Sequence, residues 1–310
     1  SGDTLFAIFS MTKTFTGIAA MCAIDDGLFT LDDRISKFLP EFAEVKFADG
    51  RKPKREHVVR DFICHADGMR EEYPSIDNDL PLREAAKWYA SKPIREEPGE
   101  TFRYGTMRFS VIAAAIEVAA GEKFEDYLRR KVLDPLGMKD TTWRPDGEQV
   151  KRLACAYNSD DTRLRPAADR CAKQLVFPKP KRIEPAAGAG LFSTPNDMIR
   201  FSQMLAHHGE WKGKRIVSRE TFDKVFSRIQ VPQKLAAERP YTTGAWIYGD
   251  WIGHEGAMRT DQRANLKTGH SRVFFIQTEN AAGSAFFQLK RDWHFEADKL
   301  QGTESVRFGN

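Results

Sequence analysis

The chain has 310 residues, of which 41% are hydrophobic and 30% charged, so it can bury the core of one large domain or two smaller ones. Its 48 basic and 44 acidic residues leave a net charge of +4, with no basic stripe interleaved with aromatic residues that would indicate a nucleic-acid surface. No segment reaches the about 20 apolar residues that a membrane span needs. We therefore expect a soluble globular protein with a small-molecule partner.

The amino end and the cysteines leave the compartment open. The chain begins with Ser1 and has no basic region followed by an apolar core, so export depends on a signal segment absent from this sequence. Four cysteines are too few for a disulfide framework in a protein of this length. We expect Cys22 and Cys64 to be buried thiols, whereas Cys155 and Cys171 could pair if the protein is exported.

A first helix is predicted from Ser10 to Asp26, where Gly27 ends it. Apolar residues recur at three- and four-residue spacing along this stretch, namely Phe15, Ile18, Ala19, Cys22 and Ala23.

Further helices follow from the same spacing. The stretch that begins at Thr194-Pro195 and ends at Gly209 carries a start cap, an apolar face and a stop. The region 28–150 is predicted to be mostly helical, with helices over 56–65, 82–91, 107–119 and 123–134.

Strand composition is concentrated in the second half of the chain. Aromatic and β-branched residues predict strands over Leu153–Tyr157, Thr243–Ile252 and Val273–Thr278, with a hairpin turn at Asn265–His270. These elements indicate an α/β layer interrupted by a helical insertion, with Ser10 at their junction.

Ser10 and Lys13 are the residues that carry the most chemistry. One helical turn separates them, so the amine can reach the hydroxyl on the same face. A serine becomes nucleophilic when a nearby base takes its proton, and a lysine is that base only where its surroundings keep it neutral. The pair predicts a covalent serine hydrolase, although the S-x-x-K spacing alone is a weak signal.

Two further side chains complete a catalytic hypothesis. Tyr104 follows the turn at Pro98-Gly99, and a phenol whose pKa is lowered beside an ammonium could alternate as base and acid. His254 lies in a strand next to Gly256, which leaves room for an acyl group along the backbone. Each residue taken alone is more often structural than catalytic.

Three motifs together resemble a known superfamily. Ser10-Met11-Thr12-Lys13, Tyr104-Gly105-Thr106 and His254-Glu255-Gly256 resemble, in order and spacing, the three boxes of the serine β-lactamases and penicillin-binding proteins. The resemblance is strongest to the branch of class C β-lactamases, DD-peptidases and family VIII-type carboxylesterases. Supporting matches are His65-Ala66-Asp67-Gly68, Glu97-Pro98-Gly99, Leu136-Gly137-Met138 and the stretch from Gly190 to Asp197.

The resemblance implies a role for each residue. Ser10 would be the acylated nucleophile, Lys13 and Tyr104 would share the proton transfers, and His254 would be an electrostatic and hydrogen-bonding partner. The backbone N–H groups of Ser10 and Ala257 would form the oxyanion hole. No cofactor is implied, and the histidines of the chain lack the spacing of a metal site.

The resemblance also implies a fold class, α/β (α+β), with an antiparallel sheet flanked by helices and an all-helical insertion. The sheet domain would comprise residues 1–30 and 176–310, and the helical domain, residues 31–175, would carry Tyr104. The superfamily places two core strands before the nucleophile helix, whereas nine residues precede Ser10 here. We therefore expect either an incomplete chain or a sheet that lacks an edge.

Departures from the superfamily pattern bear on the substrate. Thr106 stands where β-lactamases carry an asparagine that holds the substrate amide. Glu255 stands where a small residue often faces the substrate carboxylate, and in the cleft its charge would repel that group by about 1 to 4 kcal/mol. Strand alternation could instead turn Glu255 outward while His254 and Gly256 face the cleft.

The sequence favours a hydrolase of carboxylic esters that works through an acyl-Ser10 intermediate. A DD-peptidase or a weak β-lactamase is the alternative within the same chemistry. A catalytically degenerate binding module is the alternative of another class, against which stands the retention of all four polar groups. The acyl group, the leaving group and the oligomeric state are not determined by these motifs.

Overall fold

The computed structural model describes residues 1–72, 80–159, 164–166, 183–184, 186–228, 230–231, 238, 240–279 and 292. In these residues the helices are α1 (Thr12–Asp25), α2 (Val59–Ile63), α3 (Leu82–Ala90), α4 (Met107–Ala120), α5 (Phe124–Leu128), α6 (Asp134–Leu136), α7 (Gly147–Lys151), α8 (Pro195–Ala206) and α9 (Arg219–Thr221).

The strands of the same residues form small antiparallel sheets and two parallel pairings. They are β1 (Phe6–Ala7), β2 (Leu80–Pro81), β3 (Tyr157–Ser159), β4 (Leu164–Pro166), β5 (Ile183–Glu184), β6 (Phe192–Ser193), β7 (Glu210–Trp211), β8 (Lys214–Arg215), β9 (Trp246–Tyr248), β10 (Trp251–Glu255), β11 (Asp261–Asn265), β12 (Ser271–Phe274) and β13 (Thr278–Glu279).

The main sheet is antiparallel, with the strand order β12-β11-β10-β9. Its register pairs Trp251 with Asn265 and Glu255 with Asp261. Helix α8 packs against β11 and β12, whereas α1 contacts β10 on one side and α4 on the other. The architecture is the predicted mixture of helices and antiparallel sheet, and α1 runs between the sheet and the helices.

Helix α1 is buried along almost its whole length, from Thr12 to Ala23. A helix buried on all sides cannot leave polar groups unpaired. Its threonines meet this demand: Thr14 Oγ1 donates to Gly244 O at 2.9 Å, and Thr16 Oγ1 donates to Ala187 O at 2.6 Å.

The start of α1 differs from the prediction. The α-helix begins at Thr12, and Ser10 lies in the preceding 3₁₀ turn, Phe9–Met11. Phe9 has a φ of +44°, which turns the chain sharply between β1 and the helix. Ser10 therefore sits at a strand-to-helix turn.

The other predicted helices are confirmed with shifted bounds. The region 56–65 contains α2, 82–91 contains α3 and 107–119 corresponds to α4. The predicted helix over 123–134 begins as α5 and continues through a π-helical turn, Arg129–Leu133, into α6. For α8 the predicted cap is present, since Thr194 Oγ1 accepts the N–H of Asp197.

Strand boundaries were predicted less well. The predicted strand Thr243–Ile252 is two strands, because a two-residue turn at Gly249–Asp250 pairs Trp251 with Tyr248. Gly249 has a φ of +59°, which suits such a tight hairpin. Strand β11 was missed altogether, because its sequence is polar although all five of its residues are buried.

The remaining strand predictions are confirmed only in part. Of Leu153–Tyr157, only Tyr157 belongs to a strand, β3, while Leu153 forms an isolated bridge with Leu5. Of Val273–Thr278, the first two residues belong to β12 and Thr278 begins β13.

The cysteine predictions are confirmed where they can be compared. Cys22 and Cys64 are buried free thiols, as expected. Cys155 is an exposed free thiol, and Cys171, with which it could pair in an exported protein, lies outside the described residues. Within the described parts of the chain, no helix is long and apolar enough to cross a membrane.

Close backbone contact holds α1 against the loop before β9. A Cβ added at Gly17 would lie 1.8 Å from the carbonyl oxygen of Thr243, and one at Gly244 would lie 2.4 Å from Lys13 O. Both contacts are with backbone, which cannot swing aside as a flexible side chain can. The loop can therefore lie this close to α1 only because residue 17 is a glycine.

We expect Gly17→Ala to lower the free energy of unfolding by about 2 kcal/mol, because overpacking outweighs the better helix propensity of alanine. Urea unfolding followed by circular dichroism measures the change. Gly147→Ala is the matched control, since a Cβ there has open space and the residue begins α7. Equal stability of Gly17→Ala and Gly147→Ala would contradict the packing argument.

Candidate active site

The first group of the site is the Ser10 hydroxyl, which lies half-buried at the turn that joins β1 to α1. Strand β1 is held by β6 in a pairing that sets Phe6 opposite Ser193. The 3₁₀ turn packs against β10. The serine is thereby placed at the edge where the sheet meets the buried helix.

The Lys13 side chain is wholly buried, and its amine makes three polar contacts. Its Nζ lies 3.2 Å from Ser10 Oγ, 3.3 Å from Thr106 Oγ1 and 2.7 Å from Gly188 O. The predicted Ser-Lys pair is therefore present as a hydrogen bond.

Burial also controls the protonation of this amine. Desolvation lowers the pKa of Lys13 from 10.5 to about 7, the charge of Glu71 acts to raise it, and Arg108 acts to lower it. A carbonyl can only accept, so one N–H of the amine points to Gly188 O. In the neutral amine, the lone pair is then available to the Ser10 hydroxyl.

Tyr104 and His254 meet on the open side of the pair. Tyr104 Oη lies 3.4 Å from His254 Nε2, and His254 Nδ1 lies 2.8 Å from Glu255 O. Because that carbonyl oxygen is an acceptor, Nδ1 carries the hydrogen and Nε2 accepts from the phenol. Burial, and next the charge of Lys13, lower the pKa of His254 to about 3, so the imidazole is neutral.

The prediction that a neighbouring ammonium lowers the pKa of Tyr104 is wrong. Poor hydration raises this pKa to about 12, and a hydrogen bond with Ser10 acts only partly in the other direction. The Lys13 amine lies 4.8 Å from the centroid of the tyrosine ring, above its face. Tyr104 is thus a neutral phenol at pH 7, although the residue is 41% exposed.

The predicted oxyanion groups lie in adjoining segments. Gly256 N–H donates to Thr260 O at 2.8 Å and closes the turn that contains Ala257. A Cβ added at Gly256 would lie 2.6 Å from Ile8 O, so this turn touches the chain just before Ser10. The close approach explains why glycine stands at this position.

Glu255 does not face the cleft. Its carboxylate pairs with Arg263 at 2.8 Å, and Arg263 also pairs with Asp261 at 3.1 Å. Residues 255, 261 and 263 share one face of the sheet by the β10–β11 register, whereas His254 lies on the other face. The outward orientation is therefore the one that the structure adopts.

Thr106 has a contact that its sequence position did not reveal. It stands where β-lactamases carry the amide-binding asparagine, and its hydroxyl lies 3.3 Å from the Lys13 amine. Its backbone N–H donates to Glu71 Oε1 at 2.6 Å, and the N–H of Met107 donates to the same oxygen at 3.1 Å. A carboxylate thus occupies the amino end of α4, where the helix dipole favours it.

Three residues of the site were missed as site residues. Gly188, whose carbonyl oxygen accepts from the Lys13 amine, lies just before the supporting match that begins at Gly190. His65 belongs to a supporting match and accepts the N–H of Gly105 at 3.2 Å. Glu71 follows the same match without a motif of its own, so no sequence signal could have identified it.

The site holds acid–base groups and backbone donors rather than metal ligands. In the described parts of the chain, no group of three or more histidine, cysteine, aspartate or glutamate side chains is placed to bind a metal ion. The arrangement can move a proton between Ser10, Lys13 and Tyr104, with His254 as an acceptor for the phenol.

The fold is that of the β-lactamase and transpeptidase class of proteins. The chain belongs to the beta-lactamase family, whose family model matches residues 1–294.

Known relatives include hydrolases of different specificity. AmpH of Escherichia coli (strain K12), a D-alanyl-D-alanine-carboxypeptidase/endopeptidase, is 24% identical over 257 residues, covering 79% of this chain and 61% of AmpH. Esterase EstB of Burkholderia gladioli is 26% identical over 227 residues, covering 64% of this chain and 56% of EstB. The chain thus spans about six-tenths of the length of these relatives.

A solved structure supports the fold. Simvastatin synthase (LovD) of Aspergillus terreus superposes with a TM-score of 0.77 at 20% identity, covering 98% of this chain and 86% of LovD. Together with the family membership, this superposition supports the β-lactamase and transpeptidase-like fold.

The buried amine predicts a specific dependence of stability on pH. The pKa of Lys13 is about 7 in the folded protein against 10.5 ordinarily, so between these values the unfolded chain binds more protons. The cost of burying this amine is therefore absent from the free energy of unfolding above pH 10.5. It grows as the pH falls towards 7, because the unfolded chain then gains a proton that the folded protein does not bind. We expect the stability of the parent protein, relative to Lys13→Met, to rise by about 2 kcal/mol from pH 7 to pH 9.

Urea unfolding of both proteins at pH 6, 7, 8 and 9 measures this difference. Lys151→Met serves as the control for loss of an exposed lysine, since the Lys151 side chain is 70% exposed. A stability difference between the parent and Lys13→Met that stays constant over this range would rule out the lowered pKa.

Proposed function

We propose that the protein hydrolyses carboxylic esters through an acyl intermediate on Ser10. The observation that carries the proposal is the contact between the Ser10 hydroxyl and a buried amine whose pKa lies near 7. Such an amine is partly unprotonated at neutral pH and can act as the base that serine requires.

Acylation begins with attack of Ser10 Oγ on the ester carbonyl carbon. The proton of the hydroxyl passes to the neutral amine of Lys13 as the new bond forms. The carbonyl oxygen becomes an oxyanion, which the N–H groups of Ser10 and Ala257 would bind. Among the described residues neither N–H donates to a protein acceptor, which supports their availability.

Collapse of the tetrahedral intermediate breaks the bond to the alcohol oxygen. The leaving oxygen takes a proton, relayed from the ammonium of Lys13 through the neutral phenol of Tyr104. Because its pKa is raised, the phenol is protonated at neutral pH, and it gives up its hydrogen as it takes one from the ammonium. Since Nε2 of His254 is an acceptor, the imidazole orients the phenol hydrogen between turnovers.

Deacylation repeats the sequence with water as the nucleophile. Water attacks the acyl carbon and gives a proton to the amine of Lys13, after which the bond to Ser10 Oγ breaks. The proton returns to Oγ and restores the hydroxyl. The products are a carboxylic acid and an alcohol.

Charge around the site favours an uncharged ester as substrate. His254 occupies the third-box position as a neutral imidazole, which offers no full charge to a substrate carboxylate. The carboxylate of Glu71, which lies beside Thr106 and pairs with Arg108 at 3.4 Å, adds no positive charge for such a group. The similarity to Esterase EstB is consistent with this preference. The similarity to AmpH, a carboxypeptidase/endopeptidase, makes a DD-peptidase the alternative function for this protein.

A scan of p-nitrophenyl esters of increasing acyl length, run beside nitrocefin and a D-alanyl-D-alanine peptide, separates these activities. The proposal expects turnover of the neutral esters to exceed turnover of nitrocefin and of the peptide. Peptide cleavage faster than ester cleavage would favour the DD-peptidase.

Labelling tests the nucleophile directly. We expect a fluorophosphonate to form one stoichiometric adduct on the peptide that contains Ser10, and Ser10→Ala to abolish both the adduct and the ester turnover. Mass spectrometry of the digested protein locates the adduct. Ser91→Ala is the matched control, because Ser91 is an exposed serine at the end of α3. An adduct that survives in Ser10→Ala would overturn the assignment.

The pH profile tests the base. We expect kcat/KM to fall about tenfold per pH unit below an apparent pKa near 7, because protonated Lys13 cannot accept the serine proton. Glu71→Gln keeps an oxygen that can accept the N–H of Thr106 but removes a charge that raises the pKa of Lys13. The acid limb should therefore move to lower pH by roughly 0.5 to 1 unit.

The neighbouring carboxylate supplies the control for this shift. Glu72→Gln removes a charge that pairs with Arg70 at 3.6 Å, and it should leave the acid limb in place. A limb that moves equally in both variants, or towards higher pH in Glu71→Gln, is incompatible with Lys13 as the base.

A further inference from the structure

His65 occupies a backbone position that normally belongs to glycine. Helix α2 ends with the pair of hydrogen bonds that define a Schellman motif, from His65 N–H to Phe62 O at 3.2 Å and from Ala66 N–H to Asp61 O at 2.7 Å. His65 is the left-handed residue of this motif, with a φ of +60°. A bulky residue with a Cβ is strained in this conformation, so the presence of a histidine instead of a glycine requires an explanation.

The reason is found in the segment that carries Tyr104. The ring nitrogen Nδ1 of His65 accepts the N–H of Gly105 at 3.2 Å, and the carbonyl oxygen of His65 accepts the N–H of Arg103 at 2.8 Å. One residue thus holds the chain on both sides of the tyrosine. In its left-handed conformation, His65 accepts both hydrogen bonds at once, one through its ring nitrogen and one through its carbonyl oxygen.

The ring also packs against the tyrosine itself. The centroids of the His65 and Tyr104 rings lie 4.7 Å apart, and the centroid of Tyr241 lies at the same distance on another side. His65 is completely buried. The tyrosine therefore has a rigid wall behind it, while its hydroxyl faces His254.

The hydrogen bond defines which form of the imidazole is present. Gly105 N–H is a donor, so Nδ1 must be unprotonated and the hydrogen of the neutral ring sits on Nε2. Burial lowers the pKa of His65 well below its ordinary value, and Arg108 and Lys13 act in the same direction. The acceptor is thus maintained throughout the neutral pH range.

We propose that His65 is a positioning residue for Tyr104, holding the phenol against His254 and above the Lys13 amine through its hydrogen bond from Gly105. Its effect on turnover rests on the proposed function. Its effect on the placement of the tyrosine does not.

Two substitutions separate the hydrogen bond from the backbone conformation. His65→Gly and His65→Asn both tolerate the left-handed conformation, and both leave space where the ring was. Only asparagine has an acceptor, Oδ1, at the place of Nδ1. A difference between them therefore does not come from backbone strain and reports on the carboxamide side chain that carries the acceptor.

For the kinetic readout we expect His65→Gly to lower kcat for a p-nitrophenyl ester about 30-fold with little change in KM. His65→Asn should retain kcat within about threefold. Thermal unfolding of each variant shows whether it is folded at the assay temperature. Equal losses of kcat in two folded variants would mean that the ring acts only by filling space, and the proposal would fail.

A second readout needs no turnover. Carbon NMR of protein labelled at tyrosine Cζ, with the Tyr104 signal assigned by its loss in Tyr104→Phe, follows the titration of this phenol. The proposal expects the apparent pKa of Tyr104 to fall from near 12 towards its ordinary value in His65→Gly and to stay raised in His65→Asn. Unchanged titration in both variants would overturn it.

The two readouts also distinguish the failure of the inference from the failure of the proposed function. A parent protein without ester turnover or fluorophosphonate adduct would refute the proposed hydrolase. The titration of Tyr104 would then decide by itself whether His65 positions the tyrosine.

Discussion

The chemistry of the site depends on keeping one lysine amine out of water. Lys13 lies on a helix buried on all sides, and desolvation rather than a neighbouring charge is the main cause of its lowered pKa. Burial of an amine is costly unless its hydrogens are accepted. The contacts with Gly188 O and Thr106 Oγ1 reduce this cost. The same burial leaves the lone pair for Ser10, so the feature that costs stability also produces a base.

The surroundings of α1 can close around this amine because glycine allows the backbones to touch. Gly17 and Gly244 bring the loop before β9 against the helix, and Gly256 brings the end of β10 against the chain that leads to Ser10. Tyr104 comes to the site from the segment between α3 and α4. A site assembled from such distant segments can exclude water only where the backbones meet closely.

Periodicity and spacing were sufficient for the parts that depend on neighbours in sequence. The helical state of α1, the cap of α8 and the Ser10–Lys13 contact all arise within one or two turns of a helix. Strand prediction failed where long-range pairing decided the outcome: polar β11 is buried by the strands on both sides of it, and the turn at Gly249–Asp250 divides one predicted strand into two. The beta-lactamase resemblance was recognisable because its three boxes recur in order.

The sequence by itself determined which groups were available: a serine one turn from a lysine, a tyrosine after a turn, and a histidine in a strand. Only the tertiary structure decided their protonation and orientation. The pKa of Tyr104 is raised rather than lowered, and Glu255 faces Arg263 rather than the cleft. The physical reason is that hydration, charge proximity and strand facing are set by residues far away in the chain, which local sequence patterns do not encode.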